Sequence, residues 1–191
     1  MDAHNLQSDG FRWLSNDEFF SQLDAAWSRL SDAFRKLEVC PVFNEDGDES
    51  FELFVTGDLA AARESVSQRV LKQAEMYQQA MDSGASINRL RIVGRPVTPY
   101  IADYELAAYH ANTSIGEKIS YLAEAHIPDE LQSFCRDMLL FDEREILIHE
   151  YTPWGRMLGG WYSDDHETVK RYSARIQSLF EMGVLAFDSI A

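Results

Sequence analysis

RLRIVGRPVTPYIADYELAAYHANTSIGEKISYL, residues 89–122, and MLLFDEREILIHEYTPWGRMLGGW, residues 138–161, decide the fold of this chain. Arg89 to Val93 alternates as a strand does. Leu90 and Ile92 share one face, and Arg89 and Arg91 the other. Gly94 to Pro99 carries two prolines and reads as a loop. Tyr100 to His110 then has helical spacing, and Gly116 opens a further strand, GEKISYL. Pro128 to Cys135 predicts a short helix with Pro128 in its first turn. MLLF, EILIHEY and MLGGWY follow, joined by Asp142–Glu145 and Pro153–Arg156. Short strands with short connections imply an antiparallel meander. The expectation is one α/β domain: a mixed, largely antiparallel sheet of about five to seven strands, flanked by helices.

Upstream, Ser15-Asn-Asp-Glu18 is a capping box. Phe19, Phe20, Leu23, Ala26, Trp27, Leu30 and Phe34 follow at helical spacing, which predicts a helix to about Phe34. Lys36 to Phe43 reads as a short strand and Phe51 to Val55 as another. Asp58 can cap a single long helix to Ser83, stopped at Gly84. Asp164 or Asp165 caps a last helix with Val169, Tyr172, Ile176, Leu179 and Phe180 on its buried stripe.

At 191 residues the chain fits one domain over residues 15–191, preceded by an extension over residues 1–14. Its net charge of −15 repels duplex nucleic acid, and the acidic surplus serves either solubility or contact with a basic partner. Residues 1–14 show no basic, apolar secretion signal, and no apolar run is long enough for a membrane helix. A cytoplasmic protein without membrane contact is therefore expected. Cys40 and Cys135 match no paired-cysteine pattern and read as reduced thiols. Phe11 and Trp13 ahead of an aromatic-rich first helix need cover. Either a homodimer or hetero-complex supplies it, or the extension folds back onto its own domain.

The chemistry-bearing motifs are incomplete. Asn44 to Glu49 lacks the ligand spacing of a calcium loop. His4, His110, His126, His149 and His166 have no i+3 or i+4 partner, so no metal and no cofactor is implied. No glycine pattern makes a phosphate loop and no nucleophile elbow is present. His149 lies in an apolar strand and titrates near neutral pH. As an enzyme on a small metabolite, the chain would use His149 as acid or base, Glu105 or Glu117 as its partner, and Arg91 as an anion clamp. Arg89, Arg91 and Arg95 form the clearest basic patch, suited to carboxylate or phosphate.

Phe34-Arg-Lys-Leu-Glu38, the Arg89–Val93 strand, Pro96, Tyr100, Gly116-Glu117-x-Ile119 and Phe141-Asp142 recur as an ordered set. They resemble a widespread, chiefly actinobacterial domain of unknown function, often encoded near small helix-turn-helix regulators. The resemblance covers Phe34 to Phe187 and implies a protein partner such as such a regulator. The strand plan is also similar to phospholipase D-like domains, some of which serve as sensor modules. Active members of that superfamily need His-x-Lys, which none of the five histidines here supplies. The reading is thus a non-catalytic binding or regulatory protein that recognises a protein partner or a small anionic ligand. The residues expected at a ligand site are Arg89, Arg91, Tyr100, Asp142, Trp154 and Trp161.

Overall fold

The computed structural model describes residues 6–189. In chain order its strands are β1 (Arg12–Leu14), β2 (Ala33–Glu38), β3 (Ser86–Val93), β4 (Lys118–Ala123), β5 (Met138–Phe141), β6 (Glu145–Tyr151) and β7 (Met157–Ser163). They form one seven-stranded sheet in the order β1-β7-β6-β5-β2-β3-β4. β2, β3 and β4 run parallel, and the other pairings are antiparallel. The mixed, largely antiparallel sheet is as the strand periodicity predicts.

The helices are α1 (Asn16–Ser28), α2 (Glu49–Val55), α3 (Leu59–Leu71), α4 (Ala74–Asp82), α5 (Leu106–Ser114), α6 (Asp129–Gln132) and α7 (His166–Met182). A π-helical turn, Tyr100–Glu105, runs directly into α5. The alternation of the strands splits the core in two. Leu37, Leu90, Ile92, Met138, Leu140, Ile146 and Ile148 face α7 and α6. Phe34, Ile87, Leu139, Phe141 and Leu147 face α1 and α4. On that second side α2, α3, α5 and the π turn pack into a further cluster of their own. Among the described residues no helix is long and apolar enough to cross a membrane.

Four local expectations change. The first helix stops at Ser28 rather than Phe34. The Asp142 carboxylate takes the backbone N–H groups of Ser31, Asp32 and Ala33 at 2.8–2.9 Å and turns the chain into β2. Phe34 still packs on α1, its ring meeting Trp27 at 5.2 Å, which is why its spacing reads as helical. Phe51 to Val55 is helix, because the Asp48 carboxylate caps it through Ser50 and Phe51 N–H. The single helix expected from Asp58 to Ser83 breaks at Lys72 and Gln73. Val66 and Val70 pack in the α2–α5 cluster whereas Tyr77 and Ala80 pack against the sheet, so one straight helix cannot serve both. The Lys36–Phe43 strand is shifted to Ala33–Glu38.

Residues 6–14 fold back onto the rest of the chain. β1 pairs antiparallel with β7, and Leu6 and Phe11 are buried in the α7-side core. The Phe11 ring meets Tyr172 edge-on at 5.0 Å. Trp13 stays 45% exposed and Phe20 50%. Opposite His149, Gly160 has no room for a Cβ, which would lie 2.4 Å from both the Ile148 carbonyl and the Phe19 ring. A side chain there would push α1 off the sheet.

Because Phe11 is only 3% exposed and ties the N-terminal segment to α7, Phe11→Ala is expected to cost about 3 kcal/mol. Urea unfolding of the full chain measures this. A loss under about 1 kcal/mol would mean that residues 6–14 are not part of the cooperative unit.

Candidate functional site

The face of the sheet that α1 and α4 cover carries a polar row where an apolar one is usual. Across the strands, Tyr121 stands opposite Arg91, and Arg91 opposite Glu38. On the far side of β2, Asp137 precedes β5, and its carbonyl accepts the His149 N–H at 2.8 Å. His149 in turn stands opposite Gly160. The row one step back holds Lys36 beside Arg89. Lys36, Arg89, Arg91, Tyr121 and His149 each lie two positions from an apolar neighbour on their own strand, and Glu38 two from Lys36, so strand alternation alone puts them on this face.

Arg89 is the centre of the row. Its Nε and Nη2 donate to Glu117 at 2.8 and 3.1 Å, and its Nη1 donates to both Glu38 oxygens at 3.0 and 3.1 Å. Glu38 also accepts from the Tyr109 hydroxyl at 2.7 Å and pairs with Lys36 Nζ at 2.7 Å. Burial works against the Glu38 charge, but Arg89, Lys36 and Arg91 outweigh it and hold its carboxyl well below the usual range. Tyr77 donates weakly to Glu117 at 3.4 Å.

A second group is less well satisfied. Arg91 is fully buried. Its Nη2 donates to the Cys40 carbonyl at 2.7 Å and lies 3.2 Å from Glu105 Oε2. Arg91 Nε and Nη1 and Glu105 Oε2 make no hydrogen bond. Burial pushes the Glu105 carboxyl up to about 7, against the pull of Arg91 and with the push of Glu38. Asp137 is likewise raised by burial to about 6, although it accepts the N–H groups of Val39 and Cys40. Burial and then Lys36 lower His149 to about 4, so its ring is neutral at pH 7.

Most of these groups, but not Arg91 or Glu117, line a cavity of 630 Å³ between the sheet, α1, the α3–α4 bend and the π turn. Lys36, Glu38, Arg89, Glu105, Asp137 and His149 lie along its wall. Phe20, Asp24, Gln73 and Met76 line it and are exposed, so they mark its mouth. Among the described residues no cluster of three or more His, Cys, Asp or Glu could hold a metal ion.

The structure brings together His149, Glu105, Arg89 and Tyr100 of the residues picked from the sequence. Arg91 lies directly behind Glu105. The Arg89 fork is spent on two carboxylates, which leaves it no free face for an anion. Glu117 is locked to Arg89 and is no partner for His149. Asp142 holds the β5–β6 turn with a positive φ of 49° and takes three backbone N–H groups at the other end of β2. Trp161 faces the α7 side and stacks edge-on with Trp13, and Trp154 is 83% exposed on the β6–β7 turn. Lys36, Glu38, Asp137, Tyr109 and Tyr151 are site residues that sequence reasoning missed. Polar residues two apart on a strand, Lys36 with Glu38 and His149 with Tyr151, were the available signal.

A family model described as a domain of unknown function, DUF6879, matches residues 21–186. The chain belongs to this family. No curated protein sequence matches it. Among solved structures, TrmBL2, an archaeal chromatin protein with a novel mode of DNA binding, is similar at a TM-score of 0.47 and 11% identity. That likeness covers 93% of this chain and 54% of TrmBL2, so the chain spans about half the length of that protein. NucT from Helicobacter pylori is similar at a TM-score of 0.42 and 12% identity, over 93% of this chain and 98% of NucT. Fold does not imply function, and neither protein's activity is carried over to this chain.

Two stability measurements follow from the buried charges. Glu117→Gln strips Arg89 of a buried counter-charge and is expected to cost about 3–5 kcal/mol in urea unfolding at pH 7. A near-neutral result would mean that water reaches the pair. The raised carboxyl of Glu105 gives a pH signature. Its stability contribution is fully present below the unfolded value of 4.5 and is lost as pH rises to about 7. Glu105→Gln should therefore gain on the wild type between pH 4.5 and 8, by about 3 kcal/mol at most. A constant difference across that range would mean that Glu105 titrates normally.

Proposed function

We propose that this chain is a non-catalytic small-molecule binding protein whose ligand occupies the cavity between the sheet, α1 and the π turn. The cavity itself carries the reading. Its volume of 630 Å³ lies in the range that encloses metabolite-sized ligands. Aromatic and aliphatic side chains make most of the wall, and a few charged groups converge on the floor. A basic protein partner, such as a DNA-binding regulator, is favoured by the net charge of −15. Charge alone points to no particular face, so the cavity is the more specific guide. Binding and partner contact together would make the chain a sensor.

One observation favours a second reading. Glu105 and Asp137 are both shifted toward neutral pH and share one cavity with neutral His149. Perturbed carboxyls in a cleft are a mark of acid–base sites. An enzyme acting on a small metabolite would use Glu105 or Asp137 with His149. The groups needed for either reading are the same. What separates them is whether the bound molecule leaves unchanged.

The test is affinity capture of small molecules from a host metabolite extract by the full chain and by Ala108→Phe, which fills the cavity from α5. A compound enriched on the wild type, absent from the variant and released intact is expected. Release of a converted product would replace binding by catalysis. Equal recovery on both proteins would overturn the cavity as the site.

A further inference from the structure

The cavity floor has acceptors to spare, while its guanidinium donors are engaged. Glu105 is the clearest case. It is 6% exposed and lines the cavity, and its Oε2 makes no hydrogen bond although Arg91 Nη2 lies 3.2 Å away behind it. His149 adds another acceptor. Its Nδ1 lies 3.4 Å from the Asp137 carbonyl, which can only accept. The ring that uses this contact carries its proton on Nδ1 and a lone pair on Nε2. The charged donors and two of the tyrosine hydroxyls are spent. Arg89 holds Glu38 and Glu117, Arg69 holds Glu45 and Asp48, and Tyr109 and Tyr100 donate to Glu38 and Glu45. Lys36 is paired with Glu38.

A continuous file of rings borders this floor. His149 stacks on Tyr151 at 5.7 Å, Tyr151 meets Phe43 at 5.4 Å, Phe43 meets Tyr100 at 6.2 Å, and Tyr100 meets Tyr104 at 5.3 Å. All five line the cavity. Aromatic rings attract cations through their quadrupole, and the Glu105 carboxylate, which Arg91 Nη2 approaches at 3.2 Å without a hydrogen bond, attracts them through charge. An anion would meet Glu38, Glu105 and Asp137, while the lining cations Lys36, Arg69 and Arg89 are already paired with carboxylates of the protein. The net charge of −15 further favours the approach of a cation.

We propose that the cavity takes a ligand bearing a protonated amine on an apolar frame, with the amine against Glu105 and the ring file and the frame toward Trp27 and Phe20. This rests on the cavity being a binding site, and the two can fail separately. Four probes share one phenethyl frame: 2-phenylethylamine, its trimethylammonium analogue, 2-phenylethanol and 3-phenylpropionate. Amide chemical-shift titrations of the full chain, of Glu105→Gln and of Ala108→Phe read their binding.

Both cations are expected to bind at least about tenfold more tightly than the alcohol, with the carboxylate weakest. Shifts should centre on Phe43, Tyr104, Glu105 and Tyr151. Glu105→Gln should bring the cations to within about threefold of the alcohol and leave the alcohol unchanged. Ala108→Phe should abolish all four. Alcohol or carboxylate binding equal to or tighter than the amines, at the same resonances, overturns the amine and leaves the binding site standing. No cavity shift from any probe at about 10 mM overturns the amine whatever the extract experiment recovers. If Glu105→Gln does not fold, the selectivity of the wild type among the four probes decides alone.

Discussion

A guanidinium that is 7% exposed, as Arg89 is, must be neutralised before helices can close over the sheet. Glu38 does this from β2 and Glu117 from the turn that leads into β4, so one ion triad pins the strands on either side of β3. Its stabilising value against an apolar replacement is small, since buried ion pairs repay little more than their desolvation. What it does supply is position. With Arg89 bonded through all three nitrogens, Glu38 and Tyr109 are fixed, and the polar row has a rigid centre.

The contrast between the two arginines then shapes the site. Arg89 has a full set of carboxylate partners. Arg91, one step along the same face, has Glu105 beside it and two nitrogens unbonded. A domain of this size rarely leaves such groups buried without reason. The unmet hydrogen-bonding capacity is concentrated where Glu105, Asp137 and His149 share the cavity, and the same burial drives all three toward their neutral forms. A floor of this kind changes its charge easily when a charged group arrives, which suits a ligand whose own charge matters.

Much of the architecture was legible in the sequence because strand periodicity is a local signal. Leu90 and Ile92 against Arg89 and Arg91 assigned the two faces of β3 correctly, and the meander from Met138 to Ser163 needed only its turns. Misread segments were those where a distant group overrules local spacing. Asp142, more than a hundred residues on, ends the first helix early. The site was legible in pieces. His149, Glu105, Arg89 and Tyr100 are each visible as residues, but their convergence depends on the strand order, which places β5 between β2 and β6. Asp137 could not be picked out, because its role comes from burial at the end of a strand rather than from any motif.

The π turn explains how one helix serves two surfaces. A regular helix puts residues four apart on one face. Tyr100, Tyr104 and Ala108 follow that spacing and pack with Val66 and Val70 of α3. Glu105 and Tyr109 also lie four apart, and they turn to the sheet, where Glu105 meets Arg91 and Tyr109 reaches Glu38. The wider turn over Tyr100–Glu105 lies where these two stripes begin. Such widened turns are frequent at functional sites because they let a helix present side chains that a regular repeat would hold apart. Here it sets the Glu105 carboxylate in the same cavity as the file of aromatic rings. The cavity is thus built by the same segment that closes it.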